Sequence, residues 1–326
     1  MKRALATITD FAPCSICGNA IFRRHGEALS FDPFHGPVHL VKCSRCGLVR
    51  IDPLPSDEDL SPLYDAAYYT NEKKIVGPAE CIMRCSSRIL ARRILKDEHT
   101  RSVSPLRVLE PGCGRGLLLK ALQSRGCECT GLERPDFPAD NIGEGITFSK
   151  GDVYAMPFPD ASFDMVILWH VLEHLSNPFA ALRESRRVLT EGGLLLIAVP
   201  NIDSRQARYF GKKWFHLDVP RHTHHFSIET LSFALESAGL KIVEPRGVAP
   251  EQSIFGFVQS ALNMCVPVRH MNRLFFRLKQ TRHICDFIEL GFWLLLTTFL
   301  IPAACIEYVV SLRSNRSALL QIGGRK

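Results

Sequence analysis

Through the middle of the chain, short apolar runs alternate with longer stretches of helical period, and each change of period falls at a glycine or a polar turn. Residues 106–110 (Leu-Arg-Val-Leu-Glu) predict a short buried strand, and 117–123 predict a helix beyond a glycine-rich turn. Residues 127–132, 146–149, 163–169 and 194–199 predict further strands, with Leu-Thr-Glu-Gly-Gly at 189–193 read as a helix stop before the last of these. Residues 239–243 predict one more strand, and 79–96 a helix upstream of the first. Strands alternating with helices imply an α/β fold, a parallel sheet with helices on both faces.

The pattern changes at both ends. Residues 51–78 predict a linker that docks on the next domain through Leu63, Tyr64, Tyr68 and Tyr69. Residues 250–316 predict a hydrophobic, helical segment. Within it, 290–306 is a run of 17 residues without a charge, bounded by Glu289 and Glu307 and containing Pro302. That is just short of a typical membrane span, so a buried or re-entrant helix fits the length equally well.

The turn at 111–116 reads Pro-Gly112-Cys-Gly114-Arg-Gly116, where glycines let backbone approach a ligand closely. Position 117 is Leu, where a dinucleotide fingerprint requires glycine. Glu133 ends the next strand, about 20 residues beyond the loop, placed to bond both hydroxyls of a ribose. Gly151-Asp152 follows the third strand. The fourth strand feeds a polar turn, His170-Val171-Leu-Glu173-His174, and Gly192-Gly193 precedes the fifth.

In this order and spacing, the segment from about 79 to 245 resembles the class I S-adenosylmethionine-dependent methyltransferases. It is most similar to the group that shares Val171-Leu-Glu-His174 with ubiquinone-biosynthesis O-methyltransferases. The resemblance implies a Rossmann-like seven-stranded sheet over residues 79–249, closed by 317–326 as a last strand antiparallel to the sixth. Residues 250–316 then become an insertion between paired strands. It also implies that Gly112 and Gly114 pass the methionine part of the cofactor, that Glu110 orients its amino group, that Glu133 holds the ribose, and that Asp152 with Val153 holds the adenine.

Methyl transfer is an in-line displacement at an activated carbon, so the enzyme contributes positioning, with a base if the nucleophile is a hydroxyl. Histidine is the usual base near neutral pH. Two groups are candidates: His170 with His174 at the carboxyl end of the fourth strand, and the run Trp214-Phe-His216-Leu-Asp218-Val-Pro-Arg221-His222-Thr-His224-His225 after the fifth. His222 is the first choice as base, with His170 beside it; any of them can instead cap or pack, His174 above all. Ubiquinone-pathway relatives are associated with a divalent ion on an acid-x-x-Glu-His cluster. Here His170 replaces the first acid, which puts that ion in doubt.

Cys14-Ser-Ile-Cys17-Gly18 and Cys43-Ser-Arg-Cys46-Gly47 form two copies of one knuckle, in a module over residues 1–50. Zinc takes four thiolates in a tetrahedron, and two C-x-x-C turns supply them with no position left open for a substrate. A zinc-ribbon-like module with structural zinc is therefore expected; the alternative is a redox pair. The intervening Phe31-Asp-Pro-Phe-His-Gly-Pro is a candidate contact for a substrate or partner. With twelve cysteines but no apolar leader after Met1-Lys2-Arg3, a reducing compartment is expected.

The net charge of +7 is not spread evenly. Residues 269–326 hold nine Lys/Arg against three Asp/Glu, and the rest of the chain is near balance. Arg269, Arg273, Arg277, Lys279, Arg282, Arg313 and Arg316 flank the apolar run on both sides, as expected where both ends lie on the cytoplasmic face. The expected acceptor is a small, glycan or lipid-linked molecule at that membrane face, the enzyme being peripheral or monotopic. A lid or dimer interface is the alternative for the insertion. RNA methylation through the zinc module is the alternative function, disfavoured by the near-neutral catalytic body because phosphate binding needs a basic surface.

Overall fold

The computed structural model describes residues 7–8, 12–30, 36–60, 63, 78–96, 105–137, 145–243, 249–267, 271–280, 284–313 and 316–326. The loop at 31–35, Tyr64, Tyr68, Tyr69, Arg269 and Arg282 lie outside the described residues.

The N-terminal segment carries β1 (Thr7–Ile8), β2 (Phe22–Ser30), β3 (Gly36–Cys43) and β4 (Val49–Asp52), followed by α1 (Asp57–Leu60) and α2 (Pro78–Ile94). The central α/β body then alternates: β5 (Arg107–Pro111), α3 (Leu117–Gln123), β6 (Glu128–Glu133), β7 (Thr147–Lys150), β8 (Phe163–Trp169), α4 (Pro178–Val188) and β9 (Leu189–Pro200). After it come α5 (Arg205–Phe210), β10 (His224–His225), α6 (Ile228–Ser237) and β11 (Lys241–Val243). The insertion is α7 (Pro250–Met264), α8 (Arg273–Gln280) and α9 (Ile284–Arg313), and β12 (Leu319–Arg325) returns to the sheet.

The large sheet has the order β11-β12-β9-β8-β5-β6-β7. β12 runs antiparallel to both neighbours, while β9, β8, β5, β6 and β7 pair parallel. This is the seven-stranded sheet the resemblance implies, with a helical insertion between the last two strands. One element differs. The expected helix stop at 189–193 is the start of β9, because α4 ends at Val188 and Leu189 already pairs with Phe163. The two glycines are absorbed there by a bulge of β9, which advances from Leu189 to Leu194 while β8 advances only from Phe163 to Met165, and Gly192 takes φ +78°.

Both faces of the sheet are covered. Leu90, Ala91 and Ile94 of α2 with Leu118, Leu119 and Leu122 of α3 pack on Val108, Met165 and Ile167. Leu182, Val188, Leu231 and Leu235 of α4 and α6 pack on Leu109, Val166, Leu168 and Ile197. Cys14, Ile16, Phe22, Val41, Cys43 and Leu48 belong to this second core, so the cysteine module sits on the body itself. Its sheet, order β1-β2-β3-β4-β10, takes its fifth strand from the α/β body, with His224 opposite Arg50 and His225 opposite Val49. A third core joins Ala28, Leu40, Val49 and Ile51 to Phe210, Trp214, Leu217 and Val219.

In the insertion, one face of α9 packs Leu290, Trp293, Leu296, Leu300 and Ala304 against α7 and α8. The opposite half carries Ile288, Phe292, Leu295, Phe299 and Ile306, exposed at 70, 56, 61, 77 and 66%. Among the described residues, this helix alone is long and apolar enough to cross a membrane by length and composition.

Candidate active site and cysteine knot

Two ligand regions stand at the carboxyl edge of the parallel strands. The first is the turn from β5 to α3. Gly112, Gly114 and Gly116 have φ +69°, +53° and +62°, conformations that a side chain resists. A Cβ on Gly112 would stand 2.6 Å from Val171 Cγ2, whereas a Cβ on Gly114 would meet nothing within 4 Å. The loop thus packs against the following turn on one side and keeps a bare backbone on the other. Glu133 Oε1 accepts from the Gly114 amide at 2.7 Å. Glu110 is buried, and its Oε2 has no hydrogen-bond partner. Burial, helped by the charge of Glu133, pushes the Glu110 carboxyl up to about 8. An orphaned buried carboxylate oxygen beside a second acid fits the ammonium group of a methionine moiety, and the uncovered glycine backbone fits its close passage. Asp152 and Val153 lie beyond β7; Asp152 Oδ1 accepts from the Tyr154 amide at 2.9 Å, and Val153 is half-buried against the core.

The second region is built from the turn after β8 and the loop before β10. His170, at the strand's end, holds φ +54°, an unusual conformation for a non-glycine residue and of the kind found at functional sites. Its Nδ1 lies 3.0 Å from Glu173 Oε1, and its Nε2 is buried without a partner. Burial alone would raise the Glu173 carboxyl; the His170 hydrogen bond and the neighbouring imidazoles hold it well below the ordinary range. Glu173 is 1% exposed, and its Oε2 has no partner.

His174 and His222 face each other, ring centroids 4.6 Å apart and nearly edge-on. His174 Nδ1 lies 3.1 Å from the Arg221 carbonyl and His222 Nδ1 lies 2.8 Å from the His216 carbonyl. A carbonyl only accepts, so both rings carry a proton on Nδ1, and in the neutral form of either ring the lone pair is on Nε2. Burial pushes His174 down to about 4, with His222 adding to the effect, which keeps it neutral near pH 7. Asp218 holds Arg221 through bonds of 3.0 and 2.6 Å, and His222 Nε2 stands 3.9 Å from Asp218 Oδ2. Donor atoms of Glu173, His174 and His222 lie within 4.8 Å of one another. The chain therefore brings His222 to His174 and Glu173, with His170 on Oε1 of the same Glu173.

His216, His224 and His225 are buried, and burial pushes each down to about 3. His216 Nε2 sits against the Gln252 carbonyl of α7 at 3.3 Å, in a space open only because residue 256 is glycine. The loop is thus held by the insertion at one end and by the cysteine module at the other. Sequence reasoning passed over Thr223 and Arg50. Their signal is position alone: one lies between two site histidines, the other four residues past Cys46.

In the cysteine module, Cys14 and Cys46 sulfurs are 3.6 Å apart and those of Cys17 and Cys43 3.5 Å. All four lie within 4.8 Å. Four thiolates at Zn–S ≈ 2.3 Å stand about 3.8 Å from each other, so the donor set fits a tetrahedral ion. Gly18 and Gly47, at φ +69° and +77°, fold their amides back onto the Cys14 and Cys43 carbonyls. Arg50, 2% exposed, lies 4.3 Å over the Phe22 ring and donates to the Ala12 carbonyl at 2.7 Å.

The family profile described as "Methyltransferase domain" matches residues 84–245. A ubiquinone biosynthesis O-methyltransferase from Maricaulis maris is 29% identical over 163 residues, covering 46% of this chain and 64% of that protein. The chain thus spans less than two thirds of that relative. A protein from Encephalitozoon cuniculi that carries a methyltransferase name is 30% identical over 186 residues, covering 52% of this chain and 84% of that protein. Among solved structures, a methyltransferase from Thermotoga maritima is 17% identical, with TM-score 0.44 over 80% of this chain and 97% of that one. The chain belongs to the methyltransferase-domain family.

Proposed function

We propose that the enzyme methylates a hydroxyl of a small, glycan or lipid-linked acceptor at the cytoplasmic face of a membrane, with His222 as base. The observation that carries this is the pair His174 and His222, each fixed at Nδ1 by a backbone carbonyl and each offering a ring nitrogen within 4.8 Å of a Glu173 oxygen. His222 Nε2 takes the acceptor proton, Glu173 stabilises the imidazolium formed, and His170 and Glu173 position the hydroxyl through their unpartnered atoms. Bound on the glycine loop, S-adenosylmethionine supplies an activated methyl carbon. Glu110 orients its ammonium group, Glu133 the ribose, and Asp152 with Val153 the adenine. The O-methyltransferase name of the Maricaulis relative supports a hydroxyl as nucleophile. Glu173, His174 and His222 also form a donor set for a divalent ion, which is tested by adding and chelating metal in the same assay.

Zinc in the Cys14–Cys17–Cys43–Cys46 knot is structural in this reading, since four thiolates leave no open position. The membrane placement rests on the open apolar half of α9 and the basic residues flanking it.

The test is transfer of labelled methyl from S-adenosylmethionine to bacterial membrane extract, followed by solvent partition. Label should enter the organic or glycan fraction, and His222→Ala should reduce it ~10²-fold or more with cofactor affinity retained. Label confined to RNA would replace the acceptor class; unchanged transfer by His222→Ala would remove His222 as base.

A further inference from the structure

A run of hydrogen bonds, buried at Thr223 and His224, joins the cysteine knot to the backbone of the Glu173–Leu175 turn. Ser15, inside the first knuckle, lies 3.3 Å from His224 Nε2 through its hydroxyl. His224 Nδ1 lies 2.9 Å from Thr223 Oγ1. Thr223 Oγ1 stands 3.2 Å from the Leu175 carbonyl and 3.3 Å from that of Glu173, and the Thr223 amide donates to the same Glu173 carbonyl at 2.9 Å. Both Thr223 and His224 are 0% exposed.

The direction of this run follows from its ends. Carbonyls only accept, so the Thr223 hydroxyl donates to Leu175 or Glu173 and must receive from His224 Nδ1–H. His224 Nε2 is then the acceptor, and the Ser15 hydroxyl donates to it. One His224 tautomer is consistent with every member, and a satisfied network of this kind favours a single geometry.

Backbone pairing adds a second tie. Arg50, whose guanidinium grips the carbonyl before the first knuckle, lies opposite His224 between β4 and β10, and the Ile51 amide donates to the Thr223 carbonyl at 3.1 Å. The Thr230 hydroxyl donates to the Cys46 carbonyl at 3.2 Å, fastening the second knuckle to α6. The Glu173–His174 turn is thus not positioned by β8 alone.

We propose that Thr223 is a positioning residue: through His224 and Ser15 it lets the cysteine knot set the place of the Glu173–His174 turn against His222. The proposal rests on the assignment of that turn and His222 to the acceptor site. It gives the N-terminal module a catalytic purpose without contact with the reacting atoms.

The experiment compares full-length wild type, Ser15→Ala, Thr223→Val and Thr223→Ser by histidine imidazole NMR, with His174 and His222 signals assigned from their Gln variants. Zinc content and S-adenosylmethionine affinity are measured alongside. Thr223→Val should move the His174 and His222 signals while one zinc stays bound and cofactor affinity stays within about twofold, and Thr223→Ser should restore the wild-type positions. Ser15→Ala, the milder change, should move His224 first and His222 less. Unmoved His174 and His222 signals in Thr223→Val, or in Ser15→Ala if the valine variant fails to fold, would overturn the tie. Failure of wild type to bind S-adenosylmethionine would overturn the catalytic reading instead, leaving the NMR result standing.

Discussion

Glu110 and Glu133 stand at the ends of adjacent parallel strands, and the charge of the second reinforces the burial that keeps the first protonated at neutral pH. Glu133 spends one oxygen on the Gly114 amide, while Glu110 keeps one oxygen unpartnered. A cation delivered to this pair would reverse the balance at Glu110.

Proton release on cofactor binding follows. Glu110, pushed up to about 8, is protonated in the ligand-free protein, and an adjacent ammonium favours its ionised form. Between pH 6 and 7, where an α-amine is still protonated, S-adenosylmethionine should release close to one proton and bind more tightly as pH rises. Calorimetry in buffers of different ionisation enthalpy measures this, and Glu110→Gln should abolish it. The same shift, raised in the folded state, adds stability at low pH that is lost as pH climbs through about 8.

The two loop glycines should fail differently. Gly114→Ala adds a Cβ that touches no protein atom, so only the left-handed backbone resists it, at roughly 1–2 kcal/mol. Gly112→Ala also drives a Cβ against Val171, and should cost roughly 2–4 kcal/mol. Thermal unfolding separates the two. S-adenosylmethionine affinity should fall at least ~10-fold in Gly114→Ala despite its near-normal stability; retained affinity would place the cofactor elsewhere.

Protein purified without added metal should carry one zinc per chain. Cys43→Ser should lose it and fall in stability by more than ~4 kcal/mol, because the knot belongs to the core shared with α4 and α6. A metal-free chain that unfolds at the wild-type temperature would show that the sulfurs need no ion.

α9 should hold the protein to anionic vesicles. Each large side chain on its open half contributes ~1.5–3 kcal/mol when moved from water into lipid, and each nearby basic residue about 1 kcal/mol. Leu295→Asp with Phe299→Asp should lower vesicle flotation at least ~10-fold with unchanged circular dichroism. Equal flotation would point to another face; a wild type that stays in solution as a dimer would make the same surface a subunit contact.

The sequence made the central sheet legible because its punctuation is chemical: Gly112 to Gly116, Glu133 and Asp152 each sit where a parallel strand meets its connection. The start of β9 was hidden because two glycines read as a stop, whereas here a bulge of β9 against β8 absorbs them. The knuckles were visible as a repeated pattern, but their attachment was not. β10 is two residues long, and the pairing of His224 with Arg50 joins segments far apart in the chain. The same distance concealed Thr223: its partners Glu173 and Leu175 come from another turn, and a lone threonine among histidines carries no periodic signal.

The position of β12 between β9 and β11 also has a bearing on how the enzyme is made. A ribosome releases residues 284–313, the greasy helix, before it releases the strand that completes the sheet. For that interval β9 has an open edge on its β12 side and the emerging helix has no finished body to fold against. In our reading of α9, a bilayer that captures it early would shield it during this wait. Synthesis beside a membrane should then raise the yield of active enzyme, while synthesis in a lipid-free extract should leave more chains aggregated through that edge.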